Sequence, residues 1–140
     1  MGEKFDDASW HAGGDFPKDL PQEAGGTHIG MFVAWAFLSG LVGEVHCDDV
    51  EPLQLRSMTP GAFFLDACDG KFTDETLNDE GTLFAKAYYD QQYSDDFFAA
   101  LVGNALPSVY HVQDSWSNFD KLRPVLNGRF LDWKNQQAAR

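Results

Sequence analysis

The stretch from His28 to Val42 constrains the fold more than any other part of the chain. It carries Ile29, Phe32, Val33, Trp35, Phe37, Leu38 and Leu41, and is apolar on nearly every side of a helix. A helix without a polar face has nothing to offer water, so it belongs at the centre of a domain with other elements packed around it. Thr27 is placed to cap its start and Gly43 to end it. The apolar run from Ile29 to Val42 is about 14 residues long, short of the roughly 20 that cross a bilayer. With Glu3, Lys4, Asp6 and Asp7 opening the chain, neither a transmembrane helix nor a secretory signal is expected. Gly30 and Gly40 lower helix propensity, which predicts a close neighbouring helix or chain at each.

At 140 residues, 44% of them hydrophobic, the chain can bury the surroundings of such a helix as one domain. Residues 1–26 are punctuated by Gly13-Gly14-Asp15, Pro17, Pro21 and Gly25-Gly26, which predicts an extended entry segment. Phe5, Trp10, Phe16 and Leu20 recur along it and should hold it against the domain. Val50 to Met58 reads as a short helix with Pro52 in its first turn. Thr59-Pro60 has the form of a cap followed by the first helical residue, ahead of Phe63, Phe64, Ala67 and Cys68 at helical spacing. Residues 73–92 predict a helix capped near Thr73 or Asp74, with Leu77, Leu83, Phe84, Ala87 and Tyr88 inward and Gly81 as a point of division. Ser94 opens another, burying Phe97, Phe98, Leu101 and Val102. Leu106 to Val112 is where a strand is expected, and Asp114 should cap a last helix bent at Pro124 or Asn127-Gly128. The expectation is a mainly α, compact helical bundle around a buried central helix at about 28–42. The extended segment 1–26 packs on a helical core spanning 27–137, with at most one short strand.

Chemistry is harder to find. No two of His11, His28, His46 and His111 stand at the i,i+4 spacing that pairs ligands on one helix face. His46-Cys47-Asp48-Asp49 sets ligand types side by side, but a loop ending in a capping Asp explains the same residues. A calcium frame begun at Asp69 reaches Glu80 correctly, yet puts Lys71 and Thr73 at oxygen-ligand positions and Asp74 where Gly is required. There is no G-x-S-x-G elbow and no phosphate loop, and Cys68 lies on an apolar stripe. Cys47 and Cys68 are too few for a disulfide scaffold, so reduced thiols and a cytoplasmic location are expected. No cofactor, metal or catalytic residue is assigned. One polar segment remains open as an enzyme or ligand site: Asp6, Asp7, Trp10, His11 and Asp15, with His28 at the start of the buried helix.

Charge says more. The chain holds 22 acidic and 10 basic residues, a net charge of −12, which repels nucleic acid and anionic membranes. All but one of the acidic residues precede residue 121, whereas residues 121–140 carry 5 basic groups. Between Asp66 and Asp96 the acidic groups are interleaved with tyrosines. That pattern suits a face that steers and docks a cationic protein, with aromatic side chains as anchors. The candidate partner-binding residues are Asp69, Asp74, Glu75, Asp79, Glu80, Tyr89, Asp90, Tyr93, Asp95 and Asp96.

Several stretches together are similar to a known type of protein: Phe5 to His11, Gly13 to Pro17, Thr27 to Phe32, Cys68 to Asp74 and Leu106 to Val112. The chain resembles, over nearly its whole length, a family of small acidic bacterial domains, which in turn resemble the immunity proteins of polymorphic or secretion-system toxins. That resemblance implies an antitoxin that occludes the active site of a toxin acting on nucleic acid or nucleotides. It brings no catalytic residues. A regulatory domain docking an endogenous partner uses the same kind of surface.

Overall fold

A computed structural model of the chain describes residues 4–11 and 16–138. It is mainly α-helical, and the central helix is where the sequence puts it. Helix α2, Thr27–Leu38, buries every residue from Ile29 to Phe37. It ends earlier than Gly43. Gly40 takes a left-handed φ of 81°, its N–H donates to Phe37 O at 3.3 Å, and Leu41 N–H donates to Ala36 O at 2.9 Å, a Schellman close. Gly40 is therefore a helix stop and not a crossing point, since nothing lies within 4 Å of a Cβ built there. Gly30 is the crossing point. A Cβ on it meets Pro60 O at 2.7 Å and Gly61 Cα at 2.9 Å, where α4, Pro60–Ala67, lies across α2.

The entry segment is more structured than its glycines and prolines suggest. Lys4–Asp7 is a strand, β1, paired antiparallel with β2 at Lys71–Thr73, with Asp6 opposite Phe72 and an irregularity between Lys4 and Asp6. A short helix α1, Ala8–His11, comes next, and a 3-10 turn at Gln22–Gly26 runs directly into α2, so Gly26 and not Thr27 is the cap residue. Phe5 is buried and stacks toward Phe72, with ring centroids 4.9 Å apart. Trp10 is instead 58% exposed. The expected strand at 106–112 is a 3-10 turn at Val109–His111, closed by Ser108 Oγ accepting from Tyr110 N–H at 3.2 Å.

The rest of the shell closes on α2. The short α3, Glu51–Gln54, buries Leu53. Helix α5, Asp79–Tyr88, is capped by Asn78, whose Oδ1 accepts from Gly81 N–H at 2.8 Å. Thr73 and Asp74 stand too early to cap, because β2 and a turn occupy their positions. The helical run continues through a π turn at Tyr89–Tyr93, α6 at Ser94–Phe97 and a second π turn at Phe98–Val102. Each π turn adds a residue to the repeat and rotates the helix beyond it. The buried side is accordingly Phe84, Ala85, Tyr88, Tyr89, Tyr93, Phe97 and Val102, while Leu83 and Phe98 face out. Last comes α7, Trp116–Ala138, unbroken through Pro124 and Asn127-Gly128. Asn127 Oδ1 accepts from Trp35 Nε1–H at 2.8 Å, tying α7 to α2.

Asp114 does not cap α7, where Ser115 Oγ accepts from Asn118 N–H at 3.1 Å. Its carboxylate caps α4, accepting from Gly61 N–H at 2.8 Å and Ala62 N–H at 3.2 Å alongside the predicted cap Thr59. Free N–H groups at a helix start attract a carboxylate from any part of the chain, and α4 offers them to the segment that leads into α7.

Candidate functional site

Three distant segments of sequence meet at Asp6. The β1–β2 pairing brings its carboxylate in from the edge, and the start of α2 presents His28. Asp6 Oδ1 accepts from His11 Nε2 at 2.7 Å and from Asp7 N–H at 2.9 Å, and Oδ2 accepts from the Tyr89 hydroxyl at 2.7 Å. A carboxylate only accepts, so His11 Nε2 carries a proton here. The other nitrogen of that ring, Nδ1, shares a hydrogen with the Tyr110 hydroxyl at 2.8 Å. His28 Nε2 stands 3.7 Å from Asp6 Oδ2, and the two imidazoles meet edge to face with centroids 4.5 Å apart. His28 Nδ1 is buried with no hydrogen-bond partner. Tyr93 stacks on Tyr89 at 5.0 Å and donates its hydroxyl hydrogen to the His28 carbonyl.

The electrostatics are set by burial and these bonds. Burial alone would raise the Asp6 pKa, but the hydrogen bonds from His11 and Tyr89, with the His28 imidazole close by, outweigh it and hold the carboxyl well below the usual range. Burial dominates at His28 and depresses its pKa, against the smaller pull of Asp6, so the imidazole is disfavoured as a cation. Burial likewise drives the Tyr89 and Tyr93 hydroxyls far above 10, which keeps them protonated donors. Both titrations at the centre act on stability with the same sign. As pH falls below about 6.5, the unfolded chain protonates His28 before the folded one does. Below about 4 it protonates Asp6 first. Stability to urea should therefore fall on acidification in two steps, and His28→Gln should remove the upper one. A midpoint that stays flat from pH 7 to 5 contradicts this.

The candidate docking residues fare unevenly. Tyr89 and Tyr93 are buried, 6% and 1% exposed, so they belong to the Asp6 centre and cannot anchor a partner at the surface. The first π turn is the reason, since it turns both rings toward α2. Asp96 is held by Arg129 at 2.8 and 3.0 Å and by the Tyr88 hydroxyl at 2.7 Å. Glu80 faces Lys134 at 3.4 Å, and Asp69 pairs with Lys71 at 2.9 Å. The basic C-terminal helix thus lies beside part of the acidic run, and charges that are separate along the chain are partly neutralised in space. Asp74 is half-buried in the turn after β2, whereas Asp90 and Asp95 are exposed.

Glu75 and Asp79 line one groove together with a third carboxylate that the sequence does not single out, Glu44. Gly43 N–H donates to Thr76 O at 2.9 Å, Asn78 N–H donates to Leu41 O at 2.8 Å, and Val42 bridges Leu77. This pairing sets Glu44 opposite Glu75 and Asp79 across a groove of about 420 Å³, with Val45, Leu77 and Asn78 completing its walls. Val45 is 62% exposed there. Its acidic neighbour Glu44 was hidden by sequence distance, because the contact comes from a bridge between loops and not from a helix face.

Other candidates resolve plainly. Asp7 accepts from Ser9 N–H at 2.9 Å and from Lys4 at 3.0 Å, away from the Asp6 carboxylate's partners. Asp15 lies outside the described residues. His46 Nδ1 meets Asp49 at 3.0 Å, in keeping with a local loop bond. Both cysteines are free, and burial pushes the Cys68 thiol up to about 12, out of nucleophilic range. No helix among the described residues is long and apolar enough to cross a membrane.

A mainly helical domain whose entry strand plants a carboxylate against two imidazoles is the class of protein that emerges. The chain belongs to the family described as a domain of unknown function, DUF7832, whose model matches residues 4–112. No curated protein and no solved structure matches the chain.

Proposed function

We propose that the protein is an immunity protein, which binds a cationic toxin and blocks its active site. The observation that carries this reading is the groove edged by Glu44, Glu75 and Asp79. Three carboxylates around a shallow, mostly polar groove match a protruding Lys or Arg, whose aliphatic stem can lie on the exposed Val45 while its charged end meets the acids. The net charge of −12 adds long-range attraction for a basic partner and repulsion for nucleic acid. Toxins that act on nucleic acid or nucleotides need a basic cleft for phosphate, and a carboxylate triplet imitates that phosphate charge.

The test is protection. Co-expression of the chain with the product of the neighbouring gene should rescue growth, and Glu44→Lys/Glu75→Lys/Asp79→Lys should lose that rescue while remaining folded by circular dichroism. Equal protection by the reversed variant places the interface elsewhere, and no protection by the native chain removes the immunity reading.

A further inference from the structure

We propose that Asp6, His11 and His28 form a binding site for a divalent first-row transition metal, with two imidazole nitrogens and one carboxylate oxygen as its protein ligands. One donor atom from each of these side chains lies within 4.8 Å of the others. Ligand atoms about 2.1 Å from a shared tetrahedral ion sit about 3.4 Å apart, so the widest pair closes by up to roughly 1.4 Å to complete the set.

The surroundings of Asp6 and His11 are those that metal ligands need. Coordinating histidines are held by a hydrogen bond at the far nitrogen, and coordinating carboxylates are themselves hydrogen-bonded. Tyr110 holds His11 Nδ1 at 2.8 Å, leaving Nε2 directed at the centre. Tyr89 holds Asp6 Oδ2 at 2.7 Å, and Asp7 N–H holds Oδ1 at 2.9 Å. His28 is the member that hydrogen bonding within the protein does not explain. Its Nδ1 has no partner, and its Nε2 stands 3.7 Å from Asp6, beyond a hydrogen bond. An ion bound between the three side chains engages the His28 nitrogen that faces Asp6 and replaces the hydrogen on His11 Nε2, the neutral ring then carrying its hydrogen on Nδ1 and donating it to the Tyr110 hydroxyl.

Two nitrogens and one oxygen favour Zn²⁺ or Fe²⁺ over Ca²⁺ and Mg²⁺, which prefer all-oxygen sets. Three protein ligands also leave positions for water or a further ligand. The site stands independently of the acidic groove, so the immunity reading and this one can fail separately.

The experiment uses the full chain, freed of metal with a chelator and titrated with Zn²⁺ by calorimetry. One ion per chain is expected, with a raised melting temperature, and His11→Gln and His28→Gln should each weaken binding by about 100-fold or more. His46→Gln should change nothing. Absence of binding to the native chain, or equal binding by His11→Gln and His28→Gln, overturns the proposal. Should those variants fail to fold, Co²⁺ added to the native chain decides. Visible d–d bands without thiolate charge transfer support an N/O site at Asp6. A thiolate band places the ion at Cys47 and overturns it.

Discussion

Asp6→Ala is expected to lower stability by about 3 to 5 kcal/mol, the range for breaking a buried charged network from one side. The substitution leaves the Tyr89 hydroxyl and His11 Nε2 without their acceptor and removes the centre that joins β1 to the start of α2 and the π turn. Asp6→Asn keeps the shape and one acceptor oxygen but turns an amide donor toward groups that also donate, so it should recover only part of the loss. Urea denaturation measures both. A cost below about 1 kcal/mol for Asp6→Ala would show that the network is peripheral to folding.

The second large effect is at Gly30. Its Cβ position lies 2.7 Å from Pro60 O and 2.9 Å from Gly61 Cα, both of them backbone, so no side-chain rotation can make room. Gly30→Ala must push α4 off α2 and should cost about 3 kcal/mol, and Gly30→Leu should not fold. Gly128→Ala is the control. It lies in α7 with nothing within 4 Å of its Cβ position, and should stabilise by about 0.5 to 1 kcal/mol through helix propensity alone. Comparable losses at Gly30 and Gly128 would contradict the close crossing of α2 and α4.

How far the sequence discloses this protein depends on how local each feature is. The buried helix and the Thr59-Pro60 start of α4 are written in neighbouring residues, and both are read correctly. Among the described residues no helix is long and apolar enough to cross a membrane. The β1–β2 ribbon is not local. Lys4–Asp7 and Lys71–Thr73 are too short to show a strand period, and they are defined by pairing between segments far apart in the chain. Asp114 misled for a similar reason, since an Asp just before a helix has the form of a cap while its carboxylate serves a different helix.

The Asp6 centre is legible in part. Asp6, His11 and His28 stand out as a polar group beside a buried helix, but Tyr89 and Tyr93 read as surface residues among acids. A regular α period supports that reading, and the π turn at Tyr89–Tyr93 breaks the period. The signal in the sequence was the tyrosine pair itself, four residues apart, with hydroxyls suited to a buried polar partner. Tyr110 was hidden in what looks like a strand. In the acidic run, the sequence shows the charge but not its neutralisation, because Arg129 and Lys134 reach Asp96 and Glu80 only once α7 has folded back. The proposed docking surface, at Glu44, Glu75 and Asp79, is smaller than the run from Asp66 to Asp96.

Association kinetics with the product of the neighbouring gene address that surface most directly. The native chain should bind with a rate constant that falls steeply as ionic strength rises. Reversal of Glu44, Glu75 and Asp79 to Lys should slow association by about tenfold or more at low salt and flatten the salt dependence. Binding at the same rate by native and reversed chains, with no response to salt, would contradict the assignment of this groove to a cationic partner.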